Sequence, residues 1–410
     1  MRYKITAPDS INCPAIKLPS SKSISNRALI LNALSYTPEL PKNLSDCDDT
    51  RVMIEAFNSN SSKFDIGAAG TSMRFMTAYL SKIGGVWEIT GSERMKNRPI
   101  GTLVNALREL GANIEYLEKE GYPPLKITGK ALKGGEINLD GSVSSQFISA
   151  LLMIAPTMME GLKLNLTGNV ISVPYIKMTL AMMSSFGIES RWEGNTITIK
   201  PQDYKETDYF VESDWSAASY WYEIISLAPK GCVKLYGLEK DSLQGDSKIA
   251  EFFKPLGVET KFTKDGVELI KSESINDTEL FSLDLSSQPD LAQTLVVTCV
   301  MKNIHFRFTG LQTLKIKETD RIEALKNELL KLGYVLKDYD NSILEWRGEM
   351  TESQTNPVID TYEDHRMAMA FAPAAFKFPH LMINHPGVVT KSYPTYWRDL
   401  AEAGFVIYEE

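Results

Sequence analysis

Lys22, Ser23 and Arg27 lie within Leu-Pro-Ser-Ser-Lys-Ser-Ile-Ser-Asn-Arg (18–27), and their types and spacing suit the binding of an anion. Pro19 ends any preceding strand, Ser20 and Ser21 are good helix N-caps, and Ile24, Ala28 and Leu31 recur at helical spacing. The stretch predicts a helix whose first turn carries Lys22 and Ser23, with Arg27 one turn further on the face of Ser23. Backbone N–H groups, a hydroxyl and two cations at a helix start form an anion site. Taken alone, the stretch reads equally well as a capped surface helix. The pattern recurs, however. Lys22, Arg27, Arg74, Arg98, Lys317, Arg321, Arg366 and Lys391 gather near predicted helix openings, and Ser144, Ser145 and Gln146 add neutral donors. Lys317 and Arg321 share a helical face, with Glu318 beside Lys317. Such a set suits a small substrate with several anionic groups.

Other chemistries fail on spacing. No GxxxxGK[ST] phosphate loop, GxGxxG dinucleotide turn, HExxH pair or GxSxG elbow is present. The four histidines (His305, His365, His380, His385) have no ligand spacing, so no metal site is expected. The chemistry expected is acid–base and electrostatic, from Lys, Asp and Glu, without metal or cofactor.

The elements that must position these residues repeat. A helix ended by an apolar residue and Gly occurs at Gly111, Gly187, Gly257, Gly333 and Gly404, roughly 70 to 76 residues apart. Small or polar helix openings recur at Ser21-Lys22, Gly70-Thr71, Ser144-Ser145, Ser213-Asp214, Gln288-Pro289-Asp290 and Glu363-Asp364. This predicts about six units of roughly 70 residues, each strand–helix–strand–helix–strand–strand. That is too long for an ordinary solenoid repeat and suits an α/β domain of three units, present twice. Predicted elements include helices over 46–58 and 100–110 and strands over 87–90, 113–116, 125–128 and 136–139. The expected lobes are 21–212 and 1–20 plus 213–410, with mixed sheets.

The chain has 410 residues, 43% of them apolar, and a net charge of −8, which argues against nucleic-acid or membrane-surface binding. Its longest mostly apolar stretch, 147–159, is too short to span a bilayer and contains Pro156. The four cysteines (Cys13, Cys47, Cys232, Cys299) are far apart, so no disulfide framework is expected and a reducing, cytoplasmic setting fits.

At these residues the chain resembles the 5-enolpyruvylshikimate-3-phosphate synthase (3-phosphoshikimate 1-carboxyvinyltransferase) family over essentially its whole length. The matching motifs are 18–27, Ala-Gly-Thr-Ser-Met-Arg (69–74), Arg-Met-Lys-Asn-Arg-Pro-Ile (94–100), Gly-Ser-Val-Ser-Ser-Gln-Phe (141–147), Lys-Glu-Thr-Asp-Arg (317–321), Asp-His-Arg-Met-Ala-Met (364–369) and Lys-Ser-Tyr-Pro (391–394). The resemblance implies transfer of the enolpyruvyl group of phosphoenolpyruvate to the 5-hydroxyl of shikimate 3-phosphate, in the shikimate pathway to aromatic amino acids. It implies an α/β (α+β) fold of two lobes, each of three repeated βαβαββ units packed as an inside-out α/β barrel, closing over an active site in the cleft. It implies further that shikimate 3-phosphate is bound by Lys22, Ser23, Arg27, Ser144, Ser145, Ser172, Tyr175, Asp290, Thr313 and Lys317. Phosphoenolpyruvate falls to Lys22, Gly70, Arg98, Gln146, Arg321, Arg366 and Lys391. Asp290 takes the hydroxyl proton, and Lys22 and Glu318 are the candidate donors to the methylene carbon, their order open. Small-molecule substrates, no nucleic acid or membrane partner, a monomer and inhibition by glyphosate at the phosphoenolpyruvate site are the corresponding expectations.

Three positions depart from the family pattern: Ala68 and Thr313 where Asn is common, and Phe75 where Pro is common. The closest rival of the same fold, a UDP-N-acetylglucosamine enolpyruvyl transferase, uses a loop cysteine that 91–100 lacks. A catalytically dead phosphate-ester binder is the rival of another class; Lys22, Asp290 and Glu318 together argue against it.

Overall fold

The computed structural model describes residues 1–273 and 279–410. The chain divides into two compact units, Ser20–Val211 and Met1–Pro19 with Glu212–Glu410. Both are mixed α/β.

Five four-stranded sheets share one topology: a parallel pair extended by two antiparallel strands. In the Ser20–Val211 unit, Gly135–Asp140 pairs parallel with Leu162–Thr167, which pairs antiparallel with Thr196–Ile199, and that strand with Arg191–Glu193. The same order joins Lys63–Asp65, Gly85–Thr90, Leu125–Gly129 and Asn113–Tyr116. In the other unit, Phe281–Asp284, Phe306–Thr309, Ile343–Trp346 and Lys337–Tyr339 form one such sheet. The N-terminal strands complete the remaining two. Ile11–Lys17 lies parallel to Gly231–Tyr236, and Arg2–Thr6 lies antiparallel between Leu381–Asn384 and Val406–Glu409.

The expected sixth sheet has no counterpart of this kind. The repeat holding Lys22–Leu34 and Asp48–Asn58 keeps its helices but reduces its sheet to one bridge, Lys42 to Phe210. The glycines expected to end helices all adopt positive φ, from +83° at Gly187 to +102° at Gly111, conformations that cost other residues strain.

One helix from each repeat packs at the centre of its unit. In Ser20–Val211 these are Lys22–Leu34, Gly70–Lys82 and Ser145–Ile154; in the other unit they are Trp215–Leu227, Ala292–Met301 and His365–Phe371. Being surrounded by neighbours, they are largely buried, and every residue of Ala292–Met301 and His365–Phe371 is buried. No helix among the described residues is long and apolar enough to cross a membrane.

The expectation of no disulfide is corrected for one pair. Cys13 and Cys232, 219 residues apart in sequence, are joined across the parallel pairing of Ile11–Lys17 with Gly231–Tyr236, their Cα atoms 4.5 Å apart. Sequence spacing carried no sign of this pairing. Cys47 and Cys299 are free and buried.

Candidate active site

The six recurring openings are the N-terminal ends of the six central helices, so the chemistry-bearing residues form one cluster in each unit. In Ser20–Val211, Ser21 caps the first helix by accepting from Ile24 N at 3.4 Å, which places Lys22 in the first turn. Lys22 Nζ lies 4.0 Å from Asp49 Oδ2, and Asp49 is itself buried. Ser144 caps the third helix by accepting from Gln146 N at 3.3 Å, and the Gln146 side chain reaches Thr71 Oγ1 on the second helix at 3.2 Å. That bond ties two openings together.

Arg27 is buried and heavily engaged. It donates to Thr179 Oγ1 at 2.7 Å, to the Ser23 carbonyl at 2.8 Å and to Ser149 Oγ at 3.1 Å. Its guanidinium carbon lies 5.3 Å from the Phe75 ring centroid and 6.0 Å from that of Tyr175. Burial lowers its pKa to about 10, with Tyr175 opposing. The unusual Phe75 is therefore part of the wall that holds Arg27. Ser172 precedes the helix Val173–Ser185 in a left-handed conformation, φ 53° and ψ 34°; a non-glycine residue held there is strained, as residues at ligand sites often are. Gly70 abuts Arg98: a Cβ built on Gly70 would stand 2.6 Å from Arg98 Nη1. Arg74 donates to the Gly70 carbonyl at 3.0 Å and the Pro99 carbonyl at 3.4 Å, bracing the loop that carries Arg98.

The cluster in the other unit is a charge lattice centred on Arg321. Its Nε donates to Asp364 Oδ2 at 2.7 Å, Nη1 to Asp290 Oδ1 at 3.0 Å and Nη2 to Glu318 Oε2 at 2.9 Å. Lys317 Nζ is 3.5 Å from Asp290 Oδ1, Arg366 Nη2 is 3.2 Å from Asp290 Oδ2, and Lys391 Nζ is 3.2 Å from Glu318 Oε1. Arg366 Nη1 also donates to the Asp290 carbonyl at 3.1 Å. Burial pushes the Asp290 carboxyl upward, but Arg366, Lys317 and Arg321 outweigh it and hold Asp290 well below the usual carboxylate range. Burial likewise lowers Lys317, with Asp290 opposing. Burial alone would lower Arg321, yet Asp364, Glu318 and Asp290 leave it more firmly protonated than an ordinary arginine. Thr313, in the short helix Gln312–Ile316, has a buried Oγ1 without a hydrogen-bond partner among the described residues.

Thus Asp290, Thr313, Lys317, Glu318, Arg321, Arg366 and Lys391 belong to one unit, and Lys22, Ser23, Arg27, Gly70, Arg98, Ser144, Ser145, Gln146, Ser172 and Tyr175 to the other. Sequence reasoning named Asp290 and Glu318 but missed two further acids that hold the cations, Asp49 and Asp364. Asp49 was legible only as part of an acidic helix start, and Asp364 only as a helix opener, although it caps His365–Phe371 by accepting from Arg366 N at 2.9 Å. Among the described residues no group of three or more His, Cys, Asp or Glu side chains is arranged to hold a metal ion.

Comparison with known proteins agrees. The family model described as EPSP synthase (3-phosphoshikimate 1-carboxyvinyltransferase) matches residues 10–61 and 54–400. The chain is 58% identical over 408 residues to a 3-phosphoshikimate 1-carboxyvinyltransferase of Bacteroides fragilis, covering 99% of each chain. It is 38% identical to that of Psychromonas ingrahamii, covering 94% of this chain and 96% of the relative. The solved structure of an EPSP synthase from Acinetobacter baumannii shares its fold, with a TM-score of 0.77 at 20% identity and full coverage of both chains. The chain belongs to the EPSP synthase (3-phosphoshikimate 1-carboxyvinyltransferase) family.

Proposed function

We propose that the two clusters serve one reaction and divide its work. The chain is a carboxyvinyltransferase of the shikimate pathway: it transfers the enolpyruvyl group of phosphoenolpyruvate to the 5-hydroxyl of shikimate 3-phosphate and releases phosphate. In this reading Lys22, Ser23, Arg27, Ser144, Ser145, Ser172, Tyr175, Thr313 and Lys317 hold shikimate 3-phosphate. Lys22, Gly70, Arg98, Gln146, Arg321, Arg366 and Lys391 hold phosphoenolpyruvate. Two polyanions repel each other in water; preorganised cations offset that repulsion and bring the reacting atoms within reach.

Asp290 takes the 5-hydroxyl proton as the oxygen attacks C2 of phosphoenolpyruvate, and Lys22 or Glu318 delivers a proton to C3. The resulting tetrahedral ketal expels phosphate as the new methyl group gives up a proton, whose bonding pair restores the carbon–carbon double bond. The observation that carries this reading is the Asp290 carboxylate, held ionised between Arg321, Lys317 and Arg366. An acid so strongly paired is a weak base in the empty enzyme. Substrate anions that share its cations raise its proton affinity when catalysis needs it. Glu318, between Arg321 and Lys391, is supplied with a relay partner in Lys391 Nζ. A monomeric, cytoplasmic enzyme completes the reading, and sedimentation of the purified protein checks the first part. The reaction is tested by phosphate release from phosphoenolpyruvate that depends on shikimate 3-phosphate; release without that dependence, or none with both substrates, counts against it.

A further inference from the structure

Asp246 lies in the short helical turn Gly245–Lys248 and is 3% exposed. Its Oδ2 accepts a hydrogen bond from Ser216 Oγ, whereas its buried Oδ1 has no hydrogen-bond partner among the described residues. Ser216 opens the helix Trp215–Leu227. Four residues on, and therefore on the same face, Tyr220 accepts from Arg366 Nη1 through its hydroxyl at 3.5 Å. One helix face thus holds Asp246 at one position and Arg366 at the next, while Arg366 also grips Asp290. The charged groups that face Asp246 are Asp290 and Arg366 from the other two helix openings and Asp214 from its own. Lys248 and Glu251 pair with each other at the surface.

We propose that Asp246 is a positioning residue for phosphoenolpyruvate: its carboxylate competes with the substrate anion for Arg366, so its protonation sets how tightly that anion is held. The inference rests on the assignment of Arg366 to phosphoenolpyruvate made above. Burial raises the Asp246 carboxyl, Asp290 raises it further, and Arg366 draws it back, leaving it at about 7. Below neutrality a protonated Asp246 adds no negative charge beside Arg366. As the pH rises through about 7, a second negative charge appears beside Arg366 and the anion is held less tightly.

The test is the KM for phosphoenolpyruvate between pH 6 and pH 9 in the wild-type enzyme, Asp246→Asn and Ser216→Ala. The phosphate of the substrate titrates near 6 in every case, so the wild-type to Asp246→Asn ratio isolates Asp246. That ratio is expected to rise about 10-fold across the range, with a midpoint near 7. Ser216→Ala removes the hydrogen bond that favours the charged carboxylate, so its midpoint is expected to move to higher pH; this arm also serves if Asp246→Asn does not fold. A ratio constant within about 2-fold, or a midpoint unmoved by Ser216→Ala, overturns the proposal. Arg366→Lys separates the two readings. If it raises KM while the ratio stays flat, Asp246 has no such role and the Arg366 assignment stands; if it leaves KM unchanged, the assignment itself falls.

Discussion

Gly70→Ala is the substitution whose consequence follows most directly from the structure. Gly70 opens a central helix, and the added methyl carbon would stand 2.6 Å from Arg98 Nη1 and 3.1 Å from Cζ and Nη2. The obstacle is the end of a flexible side chain rather than backbone, so the fold survives and Arg98 moves. Restoring an ordinary 3.4 Å contact takes a retreat of about 0.8 Å. A charge-assisted hydrogen bond of about 2.8 Å stretched by that amount is lost, and such bonds are worth about 1.5–3 kcal/mol. If Arg98 holds phosphoenolpyruvate, the KM for that substrate should rise roughly 10- to 150-fold. Glyphosate, expected to be longer than the substrate in the same site, meets the methyl group as well and should lose about 1–3 kcal/mol more. The assay is steady-state kinetics with both ligands for wild type, Gly70→Ala, Arg98→Ala and the double variant. With Arg98 already truncated, Gly70→Ala should add little to the loss in KM. Full additivity would refute the collision with Arg98, and equal factors for the inhibition constant and KM would refute discrimination at Gly70.

Asp290→Asn should cut turnover about 100- to 10,000-fold while shikimate 3-phosphate still binds by calorimetry; near wild-type turnover at saturation removes Asp290 as the base. The same variant should change acid stability. A carboxyl held below its unfolded value stabilises the fold above about pH 4 and loses that contribution as the pH falls toward its folded value. The drop in melting temperature from pH 6 to pH 3 should therefore be smaller in Asp290→Asn, and an equal drop contradicts the pairing. Glu223 is fully buried, neither carboxyl oxygen has a hydrogen-bond partner among the described residues, and burial holds it protonated far above the carboxylate range. The unfolded chain ionises it above about pH 4, so its cost to the fold grows with pH. Glu223→Gln should stabilise the protein more at pH 8 than at pH 5 in urea unfolding, and an equal gain at both would mean the proton is irrelevant. Activity should survive chelation by EDTA; loss that a divalent ion restores would reveal a metal requirement.

The sequence by itself determined the local frame. Helix caps, the periodicity of apolar residues and the glycines after helices are short-range signals, which is why Ser21, Ser144 and Asp364 cap where expected and Gly111 and Gly187 turn with positive φ. The motifs carried the family and most candidate ligands for the same reason, since each lies within a few residues of one helix opening. Only the tertiary structure decided which residues meet. That Arg321 is shared by Asp290, Glu318 and Asp364, that Arg27 is walled by Phe75 and Tyr175, that Asp246 stands near Arg366, and that Cys13 joins Cys232 all depend on partners tens to hundreds of residues apart. Such contacts have no fixed spacing to read. The reduced sixth sheet was equally illegible: its one bridge pairs 42 with 210, from opposite ends of the unit. Packing also decided the partners of the charges. The basic residues near the openings read as a set suited to an anionic substrate; in the structure Lys22, Lys317, Arg321, Arg366 and Lys391 also pair with acids and Arg27 with hydroxyls and a carbonyl, because a cation taken from water needs a counter-charge or hydrogen bonds close by.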